Sequence, residues 1–278
     1  MKKSIYLLFA FLLACSKPEN VPTSTAPALP MPTPRIVPTG KSAPAEFTDE
    51  SGAMMRFVEA GNFLTKGKEG EDAFHIKYLP GFYLDKYEVS NAQYRACVDA
   101  DVCTPPSGTA ENGYYYGNAE FDNYPVIFVP WYMAEKYCGT WRGARLPIGD
   151  EWEKAARGGS DQRKYPWGDA FDGTQANFCD TNCSFTWADI TLDDGYADVA
   201  PVDAFEDGIN PYGIQNLVGN VDEWVATAEG DYDYHQAFLG GSYKSHSDEL
   251  IIHQEFPLYL KSYNDSWTGF RCARKAGP

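Results

Sequence analysis

The sequence has little basic charge, little histidine and no repeat. Lysine and arginine together number 23 against 39 aspartates and glutamates, which gives a formal net charge of −16. Removing the first fourteen residues, with Lys2 and Lys3, takes it to −18. Association with a phosphate backbone is therefore electrostatically opposed, and nucleic-acid binding is set aside. There are 4 histidines, and His75, His235 and His253 fall at no metal-ligand spacing. No segment recurs at solenoid or propeller periods. The apolar run from Ile5 to Leu13 is too short for a membrane-spanning helix.

That run has a different reading. Lys2 and Lys3 precede it and Ala14-Cys15 follows it, the layout of a secretory signal over residues 1–14. Leu12-Leu13-Ala14-Cys15 resembles a bacterial lipobox, which implies cleavage before Cys15 and diacylation of its thiol. Ser16 stands where an aspartate would resemble an inner-membrane retention signal, so the expected location is the cell envelope. The chain would be lipid-anchored to the outer membrane, facing the periplasm or the surface. Residues 15–46 are rich in Pro, Thr, Ala and Ser and carry too little apolar surface to fold, so they read as an extended tether. One domain is expected over residues 47–278.

Within that domain aromatic residues are plentiful, with 7 Trp and 19 Tyr in the chain, and much of this content should be half-buried with its polar tips satisfied. MMRFVEAGNF and GFYLDKYEVS alternate apolar and polar residues like short strands. Ser90 is placed to cap a helix over Ala92 to Asp99, and Pro130 to Thr140 has apolar residues at helical spacing. A third helix begins near Ile148 and ends at the Gly158-Gly159 pair. From Tyr165 to Phe238 no period is sustained, which predicts long ordered loops.

Six cysteines remain besides Cys15, and an even count in an exported chain favours disulfides. Cys97 with Cys103 would close a small loop at a helix end, and Cys179 with Cys183 a smaller one. Cys138 with Cys272 would tie an early helix to the C-terminus. Their spacing is poor for zinc, and full pairing leaves no thiol for chemistry.

Seven phrases in order resemble the formylglycine-generating enzyme, or sulfatase-modifying factor, family. They are GFYLDKYEVSNAQYRACV, ARLPIGDEWEKAARGG, YPWGD, APVDAF, NPYGIQNLVGNVDEW, GGSY and TGFRCAR. The resemblance spans about Met54 to Arg274 and implies an α+β, loop-rich fold related to C-type lectins. It implies structural calcium at two places. One set comprises the Asn177 side chain, the Phe178 carbonyl, the Asp194 side chain and the Tyr196 carbonyl. The other comprises Asn216, the Gly219 and Val221 carbonyls, and Glu223, with Asp222 standing where the family has tryptophan. All-oxygen sets of this kind suit Ca²⁺.

The family's activity is oxidation of a substrate cysteine to formylglycine by two copper(I)-binding cysteines. Ser245 and Leu250 occupy those positions, so neither copper nor this oxidation is expected. The arginines usual before the last family phrase are missing as well. Ser245, His246 and Asp248 also fail as a hydrolytic triad, because neighbours in an extended segment point apart; SHSDE reads as a polar loop. The expectation is a non-catalytic binding or structural module with an envelope protein, peptide or glycan as partner. The alternatives are an enzyme of another reaction type and a lectin-like glycan binder. The usual sugar signature, Glu-Pro-Asn or Gln-Pro-Asp with a later Trp-Asn-Asp, is absent from the domain.

Overall fold

The two ends of the domain meet in one antiparallel sheet. Its strands are β1 (Glu46–Thr48), β2 (Met54–Val58), β5 (Phe82–Asp85) and β11 (Ala273–Lys275), in the order β1-β2-β5-β11. The computed structural model describes residues 45–66, 74–107, 115–159, 162–226, 235–252 and 258–277. The expected signal peptide, Cys15, nearly all of the tether and His253 lie outside these residues, and the expected domain start at Phe47 falls inside β1. All four residues of β5 are buried, because the strand is central and covered on both faces. MMRFVEAGNF divides into β2 and the start of β3 (Gly61–Lys66), which pairs with β4 (Phe74–Leu79) as a separate hairpin.

Among the described residues there are three α-helices. In α1 (Asn91–Asp99) Ser90 Oγ accepts from Gln93 N at 3.3 Å while Gln93 Oε1 accepts from Ser90 N at 3.0 Å, a reciprocal cap. α2 covers Trp131–Lys136; the helix expected to run to Thr140 widens at Tyr137–Trp141 into a π turn that holds Cys138. α3 (Gly149–Arg157) has no side-chain oxygen at Ile148, and Glu151 Oε2 takes the Ile148 N–H at 3.1 Å instead. It stops at Gly158, whose φ of 77° is left-handed and whose missing Cβ would lie 2.6 Å from Pro211 Cγ.

The expected disulfides are present: Cys97–Cys103, Cys138–Cys272 and Cys179–Cys183, with Cα separations of 5.3, 5.6 and 5.0 Å. Cys138–Cys272 spans 134 residues, a loop whose closure is worth on the order of 4–5 kcal/mol on the chain-entropy account. Between Gly159 and Val221 the described residues form no helix and no named strand. Side chains turn this stretch where ladders do not. Asp172 Oδ1 accepts from the backbone and hydroxyl of Thr174, Asp189 Oδ1 does the same for Thr191, and Asn210 Oδ1 takes Tyr212 N and Ile214 N.

A buried ionic network joins these parts. Arg271 pairs with Glu223 through Nη2–Oε1 at 2.5 Å and Nε–Oε2 at 2.7 Å, and Arg142 pairs with Asp85 and Asp49 at 2.5 and 2.6 Å. Glu88, also buried, receives the side-chain amides of Asn216 and Asn220 at 3.1 and 2.9 Å. Burial pushes its pKa up to about 7, with Arg271 opposing the rise and Glu223 adding to it.

The native state therefore holds a proton on Glu88 that the unfolded chain has already released above pH 4.5. This group's contribution to stability is full below that pH and is lost as pH rises through about 7. Melting temperatures of the wild-type domain should fall between mildly acidic and mildly alkaline pH more steeply than those of Glu88→Gln. Parallel profiles would contradict this.

Candidate functional site

The segment from Leu239 to Leu250 enters from β8 (Phe238–Leu239), which pairs with β6 (Asp222–Trp224). β6 pairs in parallel on its other side with β10 (Thr268–Gly269). After β8 the chain turns through Gly240 and Gly241, with φ of 109° and 74°. A Cβ on Gly241 would lie 2.8 Å from Leu250 Cδ2 and 3.2 Å from Ser245 Oγ. The two positions at which the sequence resemblance places copper-binding thiols thus converge on one glycine. Neither offers a metal ligand of that kind. Ser245 Oγ accepts from Ser242 N at 3.1 Å, and Leu250 is fully buried against Ala176 and Phe178. His246 Nδ1 accepts from Asp248 N at 3.2 Å and caps the single turn Ser247–Glu249, while Ser245 Oγ is turned to Ser242. No Ser-His-Asp relay forms.

Beside this turn lies a cavity of about 390 Å³. Trp187, Phe238, Tyr259 and Trp267 supply aromatic walls, and Asp222, Ser242 and Ser245 line it with oxygen. Lys244, His246 and Glu249 complete its lining. Asp222 is buried, with Oδ1 accepting from Gly241 N at 2.9 Å. Burial holds its carboxyl well above the usual range, and the charge of Asp265 adds to the rise. Asp265 is itself buried: Oδ1 takes Trp267 N at 3.0 Å, and the Tyr263 and Thr268 hydroxyls lie against its carboxyl. The sequence marked Asp222 only as a departure from a family phrase, and no local pattern signals its proximity to Asp265.

Lys244 separates this cavity from a second of about 280 Å³ lined in part by Phe128, Phe185, Tyr243 and Ser266. Its Nζ donates to Ser266 Oγ at 2.8 Å and sits 4.2 Å from the Trp267 ring centre. Phe185 and Trp187, one in each cavity, stack with centroids 4.5 Å apart. The Trp187 indole N–H is fixed to the Lys244 carbonyl at 2.9 Å.

The residues of the first predicted calcium set lie near one another. Asp194 accepts Phe178 N and Tyr196 N, each at 2.8 Å, which brings the Asp194-Gly195-Tyr196 turn against Asn177-Phe178. Asn177 donates to the Asp198 carbonyl and to Asn220 Oδ1, and its own Oδ1 is buried with no donor. Burial raises the Asp194 pKa to about 7; the two backbone N–H groups oppose this, and Asp180 and Asp193 reinforce it. The unpaired Asn177 Oδ1 suits an oxygen-seeking cation, while both Asp194 oxygens and the Phe178 carbonyl already accept backbone N–H groups. The second set is close by, joined through Asn220 N to the Asn177 carbonyl at 2.8 Å. It does not fit a calcium ion. Both Glu223 oxygens are engaged by Arg271, Trp152 Nε1 donates to one of them at 2.9 Å, and Asn216 turns its amide to Glu88. Gly219 has a packing reason of its own: with φ 79°, a Cβ there would lie 2.4 Å from the Asn177 carbonyl oxygen.

Residues 41–276 match the model of the sulfatase-modifying factor enzyme 1-like domain. The chain is 35% identical over 196 residues to a formylglycine-generating enzyme of Thermomonospora curvata, covering 57% of this chain and 64% of that one. It is 39% identical over 159 residues to inactive C-alpha-formylglycine-generating enzyme 2 of Bos taurus, covering 55% and 51%. It is also 29% identical over 259 residues to a protein named serine/threonine-protein kinase pkn1 from Chlamydia caviae, covering 79% and 38%. The match thus spans about two fifths to two thirds of these relatives' own length. Among solved structures, PvdO from Pseudomonas aeruginosa superposes with a TM-score of 0.68 at 20% identity, covering 85% of this chain and all of that one. Treponema denticola variable protein 1 superposes with a TM-score of 0.61 at 17% identity over 84% of this chain and all of that one. These structural likenesses speak to the fold, an α+β, loop-rich architecture. The ordered phrases, the fold and the match over nearly the whole domain agree: this chain belongs to the sulfatase-modifying factor enzyme 1-like, or formylglycine-generating enzyme, family.

Proposed function

We propose that this chain is a lipid-anchored envelope protein whose family domain binds a ligand and does not oxidise thiols. The observation that carries the reading is the convergence of Ser245 and Leu250 on Gly241, one a hydrogen-bonded hydroxyl and the other a core residue. The domain's six cysteines are paired, so no other thiolate pair stands in for them. The likeness to a mammalian relative named inactive is consistent with this, though the name is that protein's own. What the domain retains is a shaped cavity with aromatic walls and a few polar groups, the ordinary make-up of a binding site. Asn177, Phe178, Asp194 and Tyr196 would hold one structural calcium, which would neutralise the acids of that turn and lock the loop that packs beneath Leu250.

Three measurements bear on this. The purified, unreduced domain, supplied with copper(I), oxygen and a cysteine peptide, should retain no stoichiometric copper and form no aldehyde. Stoichiometric retention or aldehyde formation would overturn the reading. Calcium at about a hundred times its dissociation constant should raise the melting temperature by roughly 5–10 °C, from about 2.7 kcal/mol of linkage energy. Asp194→Asn should abolish that rise, and titration should count one ion per domain. In a bacterial host, palmitate should label the full chain and not Cys15→Ser; equal labelling would remove the lipid anchor from the proposal.

A further inference from the structure

We infer that the Asp222 pocket recognises a primary ammonium group, presented as a lysine side chain on an extended peptide. This rests on the binding reading above and names its ligand chemistry. A buried carboxylate such as Asp222 is costly without a cationic partner. The buried cations of the domain are engaged elsewhere: Arg142 with Asp49 and Asp85, Arg157 with Glu153, Arg271 with Glu223, and Lys154 with the carbonyls of Glu59 and Gly61. None of these cations is paired with Asp222 or Asp265. The cavity therefore holds a buried acid, Asp222, while its own lining cation, Lys244, is turned to Ser266 and the Trp267 ring.

The walls suit the rest of a lysine side chain. Phe238, Tyr259 and Trp267 present ring faces and edges along which a four-carbon stem can lie, and an ammonium near aromatic faces gains cation–π attraction. Lys244 already makes that interaction over Trp267 at 4.2 Å, so the ring environment holds an ammonium in this same fold. The stacked pair Phe185 and Trp187 carries the wall past Lys244, which lines both cavities, to the second. A free amine would use only one of the two cavities; a peptide uses both.

The test is titration of the mature domain with two labelled pentapeptides that carry a central lysine or a central norleucine among glycines. Norleucine keeps the alkyl stem and removes the charge. The lysine peptide should bind about tenfold or more tightly, and Asp222→Asn should erase that preference. Asparagine keeps the acceptor for Gly241 N, and a melting curve verifies that the variant is folded. Lys244→Met, at a half-buried side chain, should act in the opposite direction. It removes like-charge repulsion and should tighten the lysine peptide by about two- to fivefold while making its affinity fall more steeply with salt. Equal binding of the two peptides would overturn the ammonium assignment and leave the binding reading standing. An undiminished preference in folded Asp222→Asn, or no binding of the lysine peptide at millimolar concentration, would also overturn it. Aldehyde formation on a cysteine peptide would sink the binding reading itself, whatever these peptides do.

Discussion

A single guanidinium sets the geometry on which the rest depends. Arg271 is fully buried, and its donors reach Glu223 twice and the carbonyls of Asp85, Lys86 and Gln215. Taking such a charge out of water is tolerable only when each donor has a partner, and removing one partner of a buried pair typically costs about 3–5 kcal/mol. Three remote segments are therefore held at once: β5, the 214–223 loop and the C-terminal segment. The constraint continues outward. Cys272 N donates to Asp85 Oδ2, Arg142 spans both Asp85 oxygens, and Arg142 meets Asp49 beside β1. A line of alternating charge thus runs from the first strand to the middle of the domain.

That line explains why loops without regular structure can carry a defined site. The 214–223 loop is anchored by Arg271 at one face and by Glu88 at the other, through Asn216 and Asn220. Asn220 in turn fixes the Asn177 segment by its backbone and its side chain, and the Cys179 N–H is bonded to the Ser245 carbonyl at 2.9 Å. Each step is a hydrogen bond between segments far apart in sequence. The Leu239–Leu250 turn is positioned from beneath by this scaffold, and it needs no ladder of its own.

The helix caps, the glycine stop of α3 and the disulfide partners were legible because each depends on residues a few positions apart or on cysteine count. The family phrases fixed the fold for the same reason: they are short and ordered. Other features were not legible. Residues 82–85 alternate in sequence yet are buried on both faces, since a central strand loses its solvent side to tertiary packing. The π turn at Tyr137–Trp141 leaves no mark in apolar spacing. The engagement of Glu223 by Arg271 joins residues 48 apart, so its effect on the second calcium set could not be read locally. The same holds for Asp222 and Asp265, brought together by the parallel pairing of β6 with β10.

The site also shows how a scaffold and its chemistry separate. Gly241 lets two side chains converge whatever they are, because the geometry comes from a left-handed turn and a missing Cβ. With thiols there, the convergence would make a soft-metal site; with a serine and a leucine, it makes a hydrogen-bonded turn resting on the Phe178 core. The network reaches Ser245 through its backbone carbonyl, so the identity of the side chain there leaves that contact unchanged. The cavity beside the turn persists because the same scaffold holds its walls, and its character then follows from what faces it: four aromatic rings and a buried acid. The fold therefore does not depend on which groups occupy those two positions, and the chemistry of the site is set by the side chains placed on it.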